Sequence, residues 1–396
     1  MNPLSEIIRR EAVQHGVLSF ARFMELALYC PVHGYYETKK DNPGRHGDFY
    51  TSVGVGELFG QLLAFQFAEW LEQLRIADCG LRIVEAGAHD GRLAKDILAW
   101  LQSNRPGLLD RIEYWIIEPS ARRQEWQKKT LEQYSSHVRW FTNFHSIAPN
   151  NSQSAIRNPQ LNGIIFSNEL LDAMPVHRFG WDAAKKTWFE WGVAVDGEKF
   201  VWRRLPAAFP SSIPAHDLSE FHLPSSLLDV LPDGYTIETC PAAEDWWREA
   251  ANVLGHGKLL AIDYGFTADE LFSPSRPRGT LRAYFRHHAG DDLLANIGEQ
   301  DLTAHVNFSA IQAAGESVGL KTESFQTQSQ FLTQILGKAL KDKKFGELVA
   351  SKRLVSPKSD GGGSEDGWTS AQSRQFQTLT HPEHLGRAFR VLIQRR

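Results

Sequence analysis

The stretch LRIVEAGAHDGRLAKDILAWL, Leu81–Leu101, decides the fold class of this chain. Its first part, Leu81–Gly87, is a short apolar strand pattern that ends in a glycine turn. Its second part, Gly91–Leu101, predicts a helix, because aliphatic residues recur there at helical spacing. A strand that passes through a glycine turn into a helix is the repeating unit of a parallel α/β sheet.

The same strand pattern recurs further along the chain. The predicted strands are IEYWIIEPS (Ile112–Ser120), VRWF (Val138–Phe141), the start of LNGIIFSNELLDAMP (Leu161–Pro175) and GKLLAIDYGF (Gly257–Phe266). Helical patterns separate several of them, and the strands are apolar along nearly their whole length. This pattern predicts an α/β fold with a mostly parallel, doubly wound sheet.

The remaining patterns divide the chain into four parts. We predict a helical N-terminal region (1–78), the Rossmann-like core (79–175 and 236–335), an inserted β-hairpin unit that could cap a cleft (176–235) and a C-terminal extension (336–396). Asp196-Gly197, between alternating segments, is the hairpin signal. The extension contains a flexible linker, Ser356–Gly367, and a final strand, Phe389–Ile393.

Composition excludes several classes of protein. Lys and Arg number 43 against 47 Asp and Glu in 396 residues, a net charge of −4, which removes the global electrostatic argument for a nucleic-acid binder. The three cysteines form no disulfide framework, and no metal site is predicted, since Cys30 and His33 are at most half of one. No apolar run is long enough to cross a bilayer, and the N-terminus lacks a signal-peptide core. We therefore expect a cytoplasmic protein.

Polar residues lie in the loops that follow the predicted strands. In a doubly wound sheet, ligands bind beyond the carboxyl ends of the strands, where the strand order reverses. After the first strand, Glu85 is followed by Gly87 and Gly91, which permit close approach of a ligand to the backbone. Glu118 ends the second strand, where a carboxylate can accept both hydroxyls of an adenosine ribose. Each has a simpler alternative: Gly87 and Gly91 could form a turn that binds no ligand, and Glu118 could be a solvated strand end.

Two more loops carry amide and carboxyl groups. Asn168, Glu169 and Asp172 follow the fourth strand, and Asp263 lies near the end of the fifth. Taken singly, Asp172 could cap a turn and Asp263 could be a structural carboxylate. Their order along the chain, after a glycine turn and an acid, is the layout that a nucleoside cofactor requires.

NAD and S-adenosylmethionine both suit this layout. NAD favours a G-x-G-x-x-G turn, because its pyrophosphate approaches several backbone N–H groups at once. Here His89 stands between Gly87 and Gly91. S-adenosylmethionine carries no phosphate and tolerates more side-chain contact, so His89 favours it over NAD.

Eight segments resemble those of the MidA family of S-adenosylmethionine-dependent methyltransferases. They are CPVHGYYETKK (30–40), GDFYTSVGVGELFGQLLA (47–64), IVEAGAHDGRLAKDIL (83–98), SNELLDAMPVHRF (167–179), LLAIDYGF (259–266), GTLRAYFRHH (279–288), DLTAHVNFSAI (301–311) and HLGRAFRVL (384–392). The mitochondrial members of this family are complex I assembly factors that dimethylate an arginine. The resemblance implies a methyltransferase that acts on an arginine of a partner protein, with a respiratory complex I subunit as the candidate partner.

The resemblance also implies roles for individual residues. Gly87, Glu118, Asn168 and Glu169 would line the cofactor site, and Thr51 and Ser52 would close over it. A guanidinium acceptor must be held by carboxylates and must lose a proton, for which Glu169, Asp172 and Asp263 are the candidates. His305 and Tyr264 could relay a proton or fix the acceptor, although a lone histidine is more often structural.

One departure from the family pattern motivates a second hypothesis. The family turn reads E-x-G-x-G-x-G, and its middle glycine is His89 here. A non-catalytic assembly or scaffold protein that retains the methyltransferase fold is therefore the alternative. An NAD-dependent oxidoreductase is a third reading.

Overall fold

The computed structural model describes residues 2–38, 51–74, 80–147, 161–206, 229–286, 288–341, 344 and 368–396. Its strands are β1 (Leu18–Ser19), β2 (Leu81–Ala86), β3 (Ile112–Ile117), β4 (Val138–Phe141), β5 (Leu161–Asn168), β6 (His177–Asp182), β7 (Thr187–Asp196), β8 (Lys199–Arg204), β9 (Thr236–Thr239), β10 (Leu254–Phe266), β11 (Arg282–Phe285), β12 (His288–Gly290), β13 (Asp301–Thr303), β14 (Val306–Asn307), β15 (Lys321–Thr327) and β16 (Phe389–Arg395). The predicted linker, 356–367, lies outside the described residues.

The helices lie between these strands. They are α1 (Pro3–His15), α2 (Phe20–Tyr29), α3 (Tyr35–Thr38), α4 (Ser52–Val55), α5 (Leu58–Gln73), α6 (Arg92–Asn104), α7 (Pro106–Leu109), α8 (Ala121–Thr130), α9 (Pro241–Val253), α10 (Ala268–Leu271), α11 (Phe308–Ser317), α12 (Gln328–Lys341) and α13 (Ser370–Thr380), with 3₁₀ turns at Glu132–Tyr134 and Phe144–Ile147. None of the described helices combines the length and the apolar composition that crossing a bilayer requires.

The main sheet has the strand order β15-β16-β10-β5-β2-β3-β4, with β14 added beside β10. Five neighbouring strands of this sheet are all parallel, as the apolar strand patterns predict: β4, β3, β2, β5 and β10. The chain moves outward from β2 to β3 and β4, and then returns to β5 on the other side of β2. The strand order therefore reverses between β2 and β5, which makes the carboxyl ends of these two strands the expected ligand site.

Helices cover both faces of this sheet. Alternate residues of β2 point to opposite faces: Ile83 joins an apolar cluster with α5 and α6, whereas Val84 joins a cluster with α9 and α11. Both residues are fully buried. The three-layer Rossmann-like fold follows from this double burial, and it confirms the predicted fold class.

A second, smaller sheet forms from the region predicted as an insertion. Its order is β1-β7-β6-β9, with β8 paired to β7, and Gly197 at φ +57° lies in the two-residue turn between β7 and β8. The sheet extends beyond the predicted limits of 176–235. It takes β9 from the predicted core and β1 from the N-terminal region predicted as helical, where Leu18 pairs with Val193. A two-residue strand has no pattern of its own, because its partner supplies all of its pairing.

The final strand corrects a second predicted boundary. β16 was assigned to the C-terminal extension, but it lies inside the main sheet, antiparallel to both β10 and β15. Its Val391 and Leu392 are fully buried on opposite faces, so the core is incomplete without it. The core therefore includes residues far beyond the predicted end at 335.

Candidate active site at the carboxyl ends of the central strands

A cavity of about 710 Å³ lies where the strand order reverses. The loops after β2, β3 and β5 form its walls. The predicted site residues that line it are Thr51, Glu85, Gly87, Glu118, Asn168, Glu169 and Asp172. Four predicted site residues do not line it: Gly91, Ser52, Asp263 and His305.

The turn after β2 requires glycine at its first position. Gly87 has φ +75°, and a Cβ added there would lie 2.9 Å from Leu170 Cδ1. His89 also adopts a left-handed conformation, with φ +45°. Its ring forms part of the cavity wall near Trp126, with the ring centroids 6.3 Å apart, and it leaves the cavity open. His89 thus holds a backbone conformation that favours glycine, which strains a residue with a side chain.

The position of Gly91 differs from its predicted place in contact with the cofactor, because Gly91 does not line the cavity. This residue is the N-cap of α6 with φ +84°, and its missing side chain makes room for α8. A Cβ there would lie 3.4 Å from Gln127 Cα and 3.3 Å from Leu131 Cδ1. Gly91 therefore shapes the turn through helix packing instead of lining the cavity.

Glu118 is buried at the end of β3, with 1% of its surface exposed. Its Oε1 accepts hydrogen bonds from the Ser120 N–H (2.9 Å) and the Arg123 guanidinium (3.0 Å), and its Oε2 accepts one from the Gln127 side chain (3.1 Å). Burial raises the pKa of Glu118, and Arg123 opposes that effect. A carboxylate offers about four acceptor positions, so Oε2 has one left for a ligand hydroxyl.

Arg123 joins this carboxylate to the N-terminal region. Its Nε lies 3.8 Å from the Glu37 carboxylate, and Glu37 also accepts a hydrogen bond of 2.8 Å from the Ser120 hydroxyl. Glu37, Ser120 and Arg123 all line the cavity, and the sequence analysis missed them. A basic residue five positions after Glu118 was the available signal for Arg123, whereas α3 offered none for Glu37.

Glu85 lines the cavity but is held from behind. The Tyr114 hydroxyl donates a hydrogen bond of 2.6 Å to its carboxyl group. Burial raises the pKa of Glu85 to about 8, and the Tyr114 hydrogen bond opposes that effect. This hydrogen bond thus fixes the Glu85 side chain at the end of β2, directly before the loop that follows the strand.

Glu169 follows β5 in a strained conformation, with φ +52°. Its Oε1 accepts hydrogen bonds from the Ser52 backbone N–H (3.1 Å) and the Asn168 side chain (3.0 Å). Burial raises the pKa of Glu169 to about 8, both hydrogen bonds oppose it, and Asp263 adds to it. Backbone strain at this partly buried acid is a reason to expect a functional role for Glu169.

Ser52 acts through its backbone, which corrects its predicted place on the cavity wall. Its buried hydroxyl donates to the Gln328 side chain (3.0 Å) and faces away from the cavity. Thr51 lines the cavity and caps α4 by accepting from the Gly54 N–H (2.9 Å). The N-terminal segment thereby reaches Glu169 through one backbone donor.

Asp263 lies beneath the loop after β5 and is fully buried. It accepts backbone N–H hydrogen bonds from Leu171 (2.8 Å), Leu170 (3.1 Å) and Tyr264 (2.9 Å). Its carboxyl also shares a hydrogen bond with Asp172, whose pKa is raised far above its usual range by burial and by Asp263. Asp263 therefore positions the loop, and Asp172 is the member of the pair that faces the cavity.

His305 lies in a second cavity of about 730 Å³, which corrects its predicted place among the residues of the first. Its ring packs against Phe266 (4.8 Å between centroids) and Tyr264 (6.5 Å), and Tyr264 lines the same cavity. Burial, Arg276 and Arg282 lower the pKa of His305 to about 4, so the ring is neutral near pH 7.

Among the described residues, no group of three or more acidic, histidine or cysteine side chains could hold a metal ion.

Comparison with known proteins agrees with this geometry. A family model described as a putative S-adenosyl-L-methionine-dependent methyltransferase matches residues 62–326. A solved structure from Burkholderia thailandensis, bound to S-adenosyl-homocysteine, superposes with a TM-score of 0.74 at 28% identity and covers 99% of this chain and 92% of that one.

Two curated relatives are named protein arginine methyltransferase NDUFAF7, mitochondrial. The protein from Danio rerio is 28% identical over 76% of this chain and 70% of its own length. The human protein is 26% identical over 78% of this chain and 69% of its own length. The chain thus belongs to the MidA family of S-adenosyl-L-methionine-dependent methyltransferases, and S-adenosylmethionine is its cofactor.

Proposed function

We propose that this chain methylates an arginine of a partner protein in the cytoplasm, and that a respiratory complex I subunit is the first partner to test. The observation that carries the proposal is a set of three carboxyls beside the cofactor cavity: Asp172 and Asp263, which are buried, and Glu169, which is partly exposed. No Lys, Arg or His of the described residues forms an ion pair with any of them. Buried acids without a cation favour a cationic ligand, since charges inside proteins are paired.

The residues of the first cavity fit S-adenosylmethionine. Glu118 Oε2 retains one acceptor position for a ribose hydroxyl, and the buried Oδ1 of Asn168 has no hydrogen-bond partner among the described residues. An orphaned acceptor suits the amino group of the methionine part of the cofactor. The bound cofactor supplies an electrophilic methyl group on a positively charged sulfur.

The carboxyls have two tasks in such a transfer. The reaction forms a carbon–nitrogen bond at the guanidinium, breaks the bond from the methyl carbon to sulfur, and releases one proton. Glu169 and Asp172 hold the guanidinium by charge-assisted hydrogen bonds and take up that proton. Burial raises the pKa of Glu169 to about 8, so its carboxyl holds a proton near neutral pH in the ligand-free chain and accepts another only after a bound guanidinium has displaced the first.

Asp263 contributes by position. Its three backbone hydrogen bonds hold Leu170 and Leu171 in the loop that carries Glu169 and Asp172. Orientation of the reacting groups provides much of the acceleration in a group transfer between two bound molecules. A misplaced loop would therefore reduce the rate of transfer more than the affinity for the cofactor.

Mass spectrometry of host proteins tests the proposal. Cells with the wild-type chain, cells without it and cells with Asp172→Asn are compared for methyl-arginine. We expect at least one arginine that is methylated only with the wild-type chain. Identical methylation in all three would overturn the proposal, and methyl groups found on another residue type would replace arginine as the acceptor. A fluorescent fusion in the same cells checks the cytoplasmic location.

The alternative, a non-catalytic assembly protein, was motivated by His89. The ring lies on the cavity wall, and its Nε2 has no hydrogen-bond partner among the described residues. The alternative predicts that partner function persists when Glu118→Ala abolishes cofactor binding. Loss of partner function in that variant would favour the enzyme.

A further inference from the structure

The second cavity, of about 730 Å³, has a wall of its own. Among the described residues, Asp172 is the one that lines both cavities, and it is the one acid in the wall of the second. Burial and the neighbouring Asp263 raise the pKa of Asp172 well above its usual range. Asp172 is therefore neutral near pH 7 in the ligand-free chain and does not repel an anion from this cavity.

Two arginines supply positive charge at this cavity. Arg282 lines it and is exposed, and its guanidinium donates to the Leu281 carbonyl (2.7 Å) but forms no ion pair within the described part of the chain. The Arg276 guanidinium lies 4.1 Å from the ring centroid of Phe266, which is 4.8 Å from that of His305. Burial lowers the pKa of His305, and both arginines lower it further. Their charge therefore acts at the cavity wall and favours an anionic ligand.

The buried acid Glu238 lies near Arg282 but outside this cavity. Arg282 acts on it electrostatically, and Glu238 has closer partners of its own. Its carboxylate accepts a hydrogen bond of 2.8 Å from the Thr280 backbone N–H and lies 3.7 Å from the Arg178 guanidinium. The guanidinium of Arg282 thus keeps N–H donors for a ligand.

Neutral donors and apolar surface form the rest of the wall. The buried Nδ1 of His305 has no hydrogen-bond partner among the described residues, which assigns the proton of the neutral ring to Nε2. Burial raises the pKa values of Tyr264 and Tyr284, so both hydroxyls keep their protons near pH 7. Leu385 adds an aliphatic surface. These groups suit a carboxylate at the end of a short methylene chain.

We propose that the second cavity binds a carboxylate ligand, held by Arg282 where the wall is exposed and by the ring N–H of His305 and the Tyr264 hydroxyl further inside. A planar carboxylate matches the fork of a guanidinium, which makes Arg282 the main anchor. Two sources share this chemistry: an acidic side chain of a partner protein and a free organic acid. The inference does not rest on the proposed function, because binding here requires no methyl transfer.

Two substitutions test the site, and a third provides the control. Arg282→Gln removes the charge at an exposed position at the start of β11. A289W fills the cavity, because Ala289 is exposed on β12 directly opposite Tyr284. Arg286→Gln is the matched control: Arg286 is exposed just after β11, outside the wall of the cavity, with its guanidinium 4.9 Å from the centroid of Phe285.

Calorimetric titration measures binding of glutarate and of a blocked Gly-Glu-Gly peptide. Glutaramide and the Gly-Gln-Gly peptide are the uncharged counterparts. We expect at least one of the carboxylates to bind, and both Arg282→Gln and A289W to weaken that binding by at least tenfold, since hydrogen bonds to a charged group are the strong ones. Arg286→Gln should stay within twofold of wild type, as should the affinity of every variant for S-adenosyl-homocysteine.

The outcomes separate the two sources and the two proposals. Binding of the peptide would identify an acidic side chain as a ligand, and binding of glutarate alone would identify a free acid. No binding of either carboxylate at millimolar concentration, equal binding of the uncharged counterparts, or binding that Arg282→Gln or A289W leaves unchanged would overturn the inference. Absence of arginine methylation in cells would overturn only the proposed function.

Discussion

Asp172 and Asp263 are buried side by side and share a hydrogen bond between their carboxyl groups. Such a bond requires one carboxyl to be protonated. Three backbone N–H groups donate to Asp263, whereas Asp172 lines both cavities. Burial raises the pKa of Asp263 to about 7 and that of Asp172 further, and because the backbone donors stabilise negative charge on Asp263, Asp263 ionises before Asp172. A bound guanidinium would favour loss of the Asp172 proton.

Substitution of the two aspartates should therefore have different effects. In Asp172→Asn the amide still donates to Asp263, so we expect a stable fold, unchanged affinity for S-adenosyl-homocysteine, and a loss of methyl transfer of roughly 100-fold or more. In Asp263→Asn at least one backbone N–H loses its acceptor, which should reduce the free energy of unfolding by about 1–3 kcal/mol. Urea unfolding and calorimetry check both. Equal destabilisation by the two variants would contradict this assignment.

The stability of the ligand-free chain should decrease as the pH rises. Glu169 and Glu85 have pKa values raised to about 8 by burial, well above their values in an unfolded chain. Between about pH 4.5 and 8 the unfolded chain has released these protons and the folded chain still holds them, so each group lowers stability by up to about 1.4 kcal/mol per pH unit. Urea unfolding at pH 5.5, 6.5 and 7.5 measures the slope.

Glu169→Gln isolates one group in this dependence. Its glutamine keeps an oxygen for the Ser52 N–H and does not titrate, so the slope should become shallower by about one proton. Parallel slopes for the variant and the wild type would show that Glu169 ionises normally in the folded chain.

Glu118→Gln should weaken S-adenosyl-homocysteine binding by roughly tenfold to a hundredfold, because hydrogen bonds to a charged partner contribute about 1.5–3 kcal/mol. Glu113→Gln is the matched control. Glu113 lies on the same strand and pairs with Arg139 at 2.8 Å, away from the cavity. Calorimetric titration compares the two, and similar affinities would remove Glu118 from the cofactor site.

His89→Gly should increase the free energy of unfolding by about 1 kcal/mol, since a left-handed conformation is costly for a residue with a side chain. We expect affinity for S-adenosyl-homocysteine to remain within threefold of wild type, as the ring lies only on the wall. A large loss of affinity would instead identify the imidazole as a contact with the cofactor.

Gly87→Ala should have the opposite effect on stability. The variant must hold an alanine at φ +75° with its Cβ 2.9 Å from Leu170, and we expect a loss of about 1–2 kcal/mol together with weaker cofactor binding. Adding Leu170→Ala removes the 2.9 Å contact with Cδ1 but leaves the 3.3 Å contact with the Cβ of residue 170 and the backbone strain. If the double variant regains full stability, steric contact alone explains the requirement for glycine.

Sequence patterns predicted the parallel strands of the core well. The strand Val138–Phe141 is found with its predicted bounds, and the N-terminal region predicted as helical contains the helix Leu58–Gln73. Such elements depend on residues close together in the chain, so the spacing of apolar side chains identifies them. The same reasoning located the loops at the carboxyl ends of the strands, and with them six residues of the cavity wall, whereas Thr51 was expected there only from the family resemblance.

The contacts between distant segments could not be predicted in this way. The Ser120 hydroxyl and the Glu37 carboxylate are 83 positions apart, and Ser52 reaches Glu169 across 117. β16 enters the sheet between β10 and β15, and its strand pattern is the same whether it pairs there or at an edge. Nothing in the local spacing of residues encodes such a partner.

The sequence by itself thus determined the α/β class, the glycine turn and the chemical groups available to hold a nucleoside and a cation. Only the tertiary structure decided which of those groups face a cavity. In the folded chain Gly91 and Ser52 pack behind the cavity wall, and Asp263 lies beneath the loop after β5. Asp172 lines both cavities. The physical reason is that side-chain chemistry is a property of the residue, whereas direction and burial depend on segments that meet only in the folded chain.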